Sequence, residues 1–271
     1  MTGASSGIGL EIARGLARHG DRVVLLCRDA GRAEAAVASI REDVPGAALE
    51  VVLADLSLQS EVRSAAAAIL DRCPRLHVLV NNAGVYSARR RETAEVIELQ
   101  LAVNHLAPFL LTRLLEDRLA ASAPSRIVNV VSSLHRMARL DMDDLQAWRS
   151  YRHFGLGQYA VTKLLAILAT RERARRLGGT GVAVNCVHPG GAATNIWPAW
   201  QRPFARLFMA SPAMGAMPVL SVAADPAFAE VTGAYVTRKG IEEPSPAARD
   251  PDLAARAWAA SEAMCGLAPG R

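Results

Sequence analysis

Few folds accommodate a chain in which short apolar runs alternate with amphipathic helical stretches from end to end. Here the runs fall at residues 23–26, 49–53, 76–80, 126–133, 181–187 and 233–237. Helical periodicity fills 10–17, 31–41, 57–70, 95–119, 157–177, 219–224 and 252–266. A strand covered by helices on both faces reads as a continuous apolar run, not as an alternating one. Strand and helix in turn give an α/β sandwich with a doubly wound, mainly parallel sheet. At 271 residues the chain is long enough for one large domain of this kind. It shows no repeat and no second domain, so a single domain over 1–271 is expected.

Ahead of the first run lies Thr2-Gly3-Ala4-Ser5-Ser6-Gly7-Ile8-Gly9, which leads directly into a helix. Glycines permit a tight turn and close approach of the backbone to a diphosphate. The free amides of a helix N-terminus favour the same anion. Farther on, Tyr159-Ala-Val-Thr-Lys163 sits in the helix at 157–177. Four residues slightly exceed one turn, so Tyr159 and Lys163 share a face, offset by ~6 Å. A phenol titrates near pH ~10, and a nearby ammonium favours its ionised form. Bringing it to neutrality takes about three units, roughly 4 kcal/mol. Lys163 and an oxidised nicotinamide can share that task, leaving Tyr159 to exchange a proton with an alcohol or carbonyl. Taken alone, the pentapeptide is as well explained by a half-buried tyrosine beside a solvated lysine.

Together the glycine-rich turn, Asn81-Asn82-Ala83-Gly84, Asn104, Ser133 and Tyr159-x-x-x-Lys163 resemble the short-chain dehydrogenase/reductase family, in order and spacing, over nearly the whole chain. The second half is most similar to the retinol-dehydrogenase-like branch, which includes WW-domain oxidoreductases. The resemblance implies a Rossmann-type three-layer α/β/α sandwich. It implies an NADP(H)-dependent oxidoreductase that interconverts an apolar alcohol and its aldehyde or ketone. Tyr159 would be the acid or base, and Ser133 would hold the reacting oxygen. Lys163 would lower the tyrosine pKa and bind the nicotinamide ribose. Asn104 would distort its helix and hold a water near the lysine. For the cofactor, the resemblance assigns Gly3, Ser5, Ser6, Gly7, Ile8 and Gly9 to the diphosphate. Asp55 and the Leu56 amide would meet adenine, and Asn82, Ala83 and Gly84 the adenosine ribose. Pro189 and Gly190 would turn over the nicotinamide face, and Thr194 would bond the carboxamide or the diphosphate. It also implies a homodimer or homotetramer, paired through the helices bearing Asn104 and Tyr159.

Plainer roles compete at several positions. Asp55 suits a helix cap, Asn81 to Gly84 can simply brace the sheet, and Asn104 can be a satisfied core amide. Ser132 is expected to cap or pack. At the end of the run 23–26 stands Cys27-Arg28-Asp29. Folds that choose NAD place an acid at this point, and by the resemblance that place falls on Cys27. Arg28 can pair with a 2′-phosphate and stack on adenine, so NADP(H) is expected over NAD(H), with Asp29 leaving NAD open. Residues 195–218, with Trp197, Trp200, Phe204, Phe208, Met209 and Met214, read as an apolar lid over an apolar substrate or as a subunit contact.

One departure stands out. Family members place an apolar strand immediately before Thr-Gly, whereas here Met1 directly precedes Thr2. The first, central strand is therefore missing as written, and its neighbours would lie about 10 Å apart, twice the usual spacing. A misassigned start is the expected cause. The rival is an incomplete, non-catalytic dinucleotide-binding or interaction protein. Other classes fit less well. The net charge of +5 comes from arginines scattered among acids without aromatic interleaving, so no nucleic-acid partner is expected. No apolar stretch is long enough to span a membrane. Four widely spaced cysteines lack zinc-site spacing and read as reduced thiols of a cytoplasmic protein. Ser133 lacks the Gly-x-Ser-x-Gly elbow of a hydrolase.

Overall fold

The valine- and leucine-rich runs become strands in the computed structural model, which describes residues 1–190 and 211–268. They are β1 (Val23–Cys27), β2 (Leu49–Leu53), β3 (Val78–Asn81), β4 (Ser125–Val130), β5 (Val182–Val187) and β6 (Tyr235–Thr237). β1 pairs in parallel with β2, and β3, β4, β5 and β6 follow one another in parallel. A short strand β7 (Gly240–Glu242) turns back antiparallel on β6. Sequence periodicity did not predict it, because three residues are too few to show a period.

Met1 and Thr2 fill the gap between β1 and β3. The Leu26 amide donates to the Met1 carbonyl at 2.8 Å, and the Gly3 amide to the Leu26 carbonyl at 3.0 Å. On the other side the Thr2 amide donates to the Val80 carbonyl at 3.0 Å. Met1, Thr2 and Gly3 thus hydrogen-bond to both neighbouring strands at the end of the sheet where the glycine-rich turn begins. They satisfy backbone groups on both neighbours that burial would otherwise leave costly.

Helices cover both faces. α1 (Gly7–Arg18) and α2 (Ala30–Asp43) lie on one side, together with α7 (Pro212–Ala224). On the other side are α3 (Gln59–Arg72), α5 (Ala107–Ala121), α6 (Leu156–Arg176) and α8 (Pro251–Met264). The expected helix at 95–119 begins later, at α4 (Leu99–Leu101), because the Glu98 carboxylate caps it by accepting from the Gln100 and Leu101 amides. A π turn, Ala102–Leu106, joins α4 to α5. Of the expected lid at 195–218, residues 211–218 include the cap and first turns of α7. The rest, 195–210, lies outside the described residues.

The glycine-rich turn is packed to its limit. A Cβ on Gly9 would stand 2.0 Å from the Gly3 carbonyl oxygen and 2.5 Å from Asn82 Nδ2. Gly9→Ala must push these backbone segments apart, so denaturant unfolding should show a loss of about 1–3 kcal/mol. An unchanged unfolding midpoint would contradict the packing.

Candidate active site

Ligands of such sheets bind beyond the carboxyl ends of the strands, and a cleft of about 650 Å³ opens there. Gly3, Ser5, Ser6, Gly7, Ile8, Gly9, Arg28, Asp55, Leu56, Asn82, Ala83 and Gly84 line it. So do Ser133, Tyr159, Lys163, Pro189 and Gly190. Asn104 lies behind the wall, and Thr194 lies outside the described residues.

The wall between turn and sheet is made of backbone and short polar groups. Thr2 Oγ1 accepts from the Asn82 and Ala83 amides, each at 3.0 Å. Asn82 Nδ2 donates to the Thr2 and Gly3 carbonyls, each at 3.2 Å. Asn81 Nδ2 donates to Thr112 Oγ1 at 3.0 Å and Asn129 Oδ1 at 2.9 Å. Bracing of the sheet is therefore one job that Asn81 and Asn82 perform.

Asn104 sits in the π turn, so its helix is distorted where it stands. Its Oδ1 accepts from the Val85 amide at 2.7 Å. Its Nδ2 donates to the Val85 carbonyl at 2.9 Å and to Thr162 Oγ1 at 3.2 Å. Asn104 thus ties the loop after Gly84 to α6 next to Lys163. Distorted helix and satisfied core amide are both realised.

Tyr159 and Lys163 are buried, at 8% and 4% exposure. Lys163 Nζ donates to the Val130 carbonyl at 2.9 Å and lies 5.6 Å from the Tyr159 ring centroid. Burial pushes the lysine pKa down to about 8 and the tyrosine pKa up to about 12. The lysine and an oxidised nicotinamide are expected to share the lowering of the phenol pKa, and burial by itself acts in the opposite direction. Loss of hydration is the cause of both shifts. A further charge in the cleft is needed to reverse the sign.

Ser132 caps the 3₁₀ turn Ser133–Met137, its Oγ accepting from the Leu134 amide at 3.2 Å, and both Ser132 and Ser133 line the cleft. His135 anchors the same turn. Its Nδ1 bonds the Ser132 carbonyl at 2.8 Å, and its Nε2 accepts from the Ser245 amide at 3.0 Å.

At the other end of the cleft Asp29 is committed to α2, its Oδ1 accepting from the Arg32 amide at 2.8 Å. Arg28 and Arg32 both line the cleft, exposed, and neither guanidinium has a hydrogen bond or ion pair among the described residues. The Cys27 thiol is buried beneath them, which pushes its pKa up, and it meets the Ser5 hydroxyl. Asp55 does not cap α3. Its Oδ1 accepts from the Ser57 amide at 2.9 Å, and the helix begins later, at Gln59.

Arg32 and Tyr86 are residues that the sequence reading missed. Arg32 was visible as a second cation one turn beyond Arg28. Tyr86 lines the cleft with its ring edge-on to Tyr159, centroids 6.4 Å apart.

The arrangement fits a pyridine dinucleotide. The N-cap residue of α1, Ser6, makes no side-chain cap bond, and the first turn holds no acid, so its amides remain for an anion. The two unpaired guanidiniums can take a second anion.

A family model described as short chain dehydrogenase matches residues 1–143. Dehydrogenase/reductase SDR family member 13 from Bos taurus is 41% identical over 282 residues, covering 100% of this chain and 73% of that protein. Human retinol dehydrogenase 13 is 37% identical over 278 residues, covering 98% and 84%. A crystal structure of an uncharacterised Mycobacterium paratuberculosis protein superposes with a TM-score of 0.80 at 32% identity, covering 98% of this chain and 92% of that one. A short chain dehydrogenase from Burkholderia cenocepacia in complex with NADP does so with a TM-score of 0.70 at 29% identity, covering 92% and 96%. The chain belongs to the short-chain dehydrogenase/reductase family of oxidoreductases, and its curated relatives include retinol dehydrogenases.

The buried lysine gives a pH signature. Its pKa is lowered on folding, from 10.5 to about 8, so between these values the unfolded chain holds the proton more tightly. The burial penalty is full below pH 8 and fades as pH rises toward 10.5. Lys163→Met should therefore stabilise the protein at neutral pH by up to roughly 3 kcal/mol, with the gain shrinking across that range. A difference from wild type that stays flat or widens would contradict the burial.

Proposed function

We propose that the protein is an NADP(H)-dependent reductase or dehydrogenase of an apolar carbonyl or alcohol, with Tyr159 as its acid and base. One observation supports this most strongly: Ser133, Tyr159 and Lys163 share a cleft whose other end carries two unpaired arginines. The family, and relatives named for retinol, support the alcohol–carbonyl chemistry. When bound, the nicotinamide supplies or accepts hydride. The Tyr159 hydroxyl gives its proton to the carbonyl oxygen in reduction and takes it back in oxidation. The Ser133 hydroxyl donates a hydrogen bond to the same oxygen as negative charge develops there. The Lys163 ammonium stabilises the phenolate left behind, and Asn104 keeps a path for the proton open toward solvent. Arg28 and Arg32 select the 2′-phosphate. Leu134, Leu156 and Val131 give the cleft an apolar wall beside Ser133 and Tyr159. A cytoplasmic location is proposed, supported by four reduced, buried cysteines.

NADPH consumption with a panel of apolar aldehydes and ketones tests the activity. Tyr159→Phe should lower turnover ~10²–10⁴-fold while NADPH binding is retained; turnover near the wild-type value would refute the role of the phenol. Replacing Arg28 and Arg32 with alanine should reduce the preference for NADPH over NADH by roughly tenfold or more per arginine. A wild-type enzyme with higher kcat/KM for NADH would refute the cofactor assignment.

A further inference from the structure

The carboxylate of Glu98 has no exposed surface, and it does more than cap α4. Its Oε1 accepts from the Gln100 amide at 3.0 Å and faces the Tyr151 hydroxyl at 3.2 Å. Its Oε2 accepts from the Leu101 amide at 2.7 Å and from Gln158 Nε2 at 3.1 Å. Two of these donors belong to α4, one to the connection that leads into α6, and one to the first turn of α6. All of them are neutral. Burial, and then the Glu98 charge, push the Tyr151 pKa up, so its hydroxyl keeps its proton.

Gln158 directly precedes Tyr159. Neighbours on a helix point about 100° apart, so the two side chains face different ways. Tyr159 lines the cleft, whereas Gln158, 5% exposed, reaches back to Glu98 and to the Leu145 carbonyl at 2.9 Å. What holds Gln158 therefore sets the rotation of the turn that carries the phenol.

The usual device for fixing a helix start is missing here. The N-cap residue of α6 is Gly155, which has no side chain to cap with. His153, Phe154 and Gly155 stand in succession at φ 51, 51 and 84°. Residues with side chains keep such a backbone only where their surroundings impose it. Those surroundings are the groups gathered on Glu98. Gln100 Nε2 donates to the Gly155 carbonyl at 3.1 Å and to the Tyr151 hydroxyl. The Tyr151 hydroxyl also meets the Ser87 carbonyl at 3.0 Å, and a Cβ on Gly155 would stand 1.9 Å from that same oxygen. Tyr86 adds a bond from its hydroxyl to the Phe154 carbonyl.

We infer that Glu98 is a positioning residue for the reaction: through Gln158 and Tyr151 it fixes the rotation and height of the first turn of α6, and so the aim of Tyr159. The inference rests on the acid–base role proposed for Tyr159. A carboxylate is needed here, not an amide of the same shape. Each oxygen of Glu98 accepts from one backbone amide. Glu98→Gln therefore sets an N–H against a backbone N–H whichever way its amide turns, and a buried donor loses its acceptor. The turn before α6 is then free to relax, and a shift of about 1 Å in a reacting group can cost ~10²-fold in rate.

A double-variant cycle of Glu98→Gln and Tyr159→Phe tests this, using the full chain with NADPH and an apolar aldehyde. Glu98→Gln should lower kcat roughly 10- to 100-fold, while NADPH binding, followed by nicotinamide fluorescence, is unchanged. On the Tyr159→Phe background the same change should cost little more, because the phenol through which it acts is already gone. If circular dichroism shows Glu98→Gln unfolded, Gln158→Leu, which removes the bond from Glu98 to α6, takes its place in the cycle with the same expectation. Three results would overturn the inference: kcat near the wild-type value in the folded variant, NADPH binding lost in step with kcat, or an equal loss of kcat with and without the phenol. Each leaves the role of Tyr159 standing where Tyr159→Phe alone collapses turnover. Wild-type turnover in Tyr159→Phe alone would instead refute the proposed reaction, and this inference with it.

Discussion

Two backbone segments touch where the glycine-rich turn meets the loop after β3, and the site depends on that contact. A Cβ on Gly3 would stand 2.9 Å from the Ala83 Cα, and one on Gly9 would stand 2.0 Å from the Gly3 carbonyl oxygen; Asn82 ties the two segments by bonding both the Thr2 and Gly3 carbonyls. The first turn of α1 is aimed by this clasp, as is the loop that leads to Val85. Val85 in turn is held from below by Asn104, whose other partner is Thr162 on α6. Binding turn, π turn and tyrosine helix are thus linked through the loop from Asn82 to Val85, which is hydrogen-bonded at both ends.

That continuity gives physical meaning to the buried charges. A lysine at 4% exposure is expensive in a protein core. Among the described residues its acceptor is the Val130 carbonyl, and burial moves Lys163 and Tyr159 toward their neutral forms. A site so arranged waits for charge from elsewhere. Cofactor phosphates would favour the lysine ammonium, and only an oxidised, cationic nicotinamide would favour the tyrosine phenolate. The empty and loaded forms of the protein should therefore hold their protons differently.

Much of this was legible in the sequence, for definite reasons. Runs such as Val23 to Leu26 are apolar on every side, which only a strand buried on both faces requires. Tyr159 and Lys163 are spaced to share a helix face. Ser133 follows a strand at its carboxyl end. Other features depend on contacts between distant parts of the chain. Nothing local in Gly240 to Glu242 marks a strand; pairing with β6 makes it one. The carboxylate of Asp29 was ambiguous until α2 was seen to use it as a cap. The depth of Lys163 could not be read from its neighbours in sequence. The docking of Trp258 on Phe109 and Arg173 joins an alanine-rich helix to residues far earlier in the chain.

What most directly decides whether the cleft does the proposed work is the fate of the transferred hydrogen. NADPH carrying deuterium at the reactive carbon of its nicotinamide can be incubated with the protein and an apolar aldehyde, and the alcohol examined by mass spectrometry and NMR. Deuterium on the new carbinol carbon, in step with the NADPH consumed, is the predicted result. Alcohol formed without the label, or NADPH oxidised with no alcohol formed, would contradict hydride transfer at the site that joins Ser133, Tyr159 and Lys163.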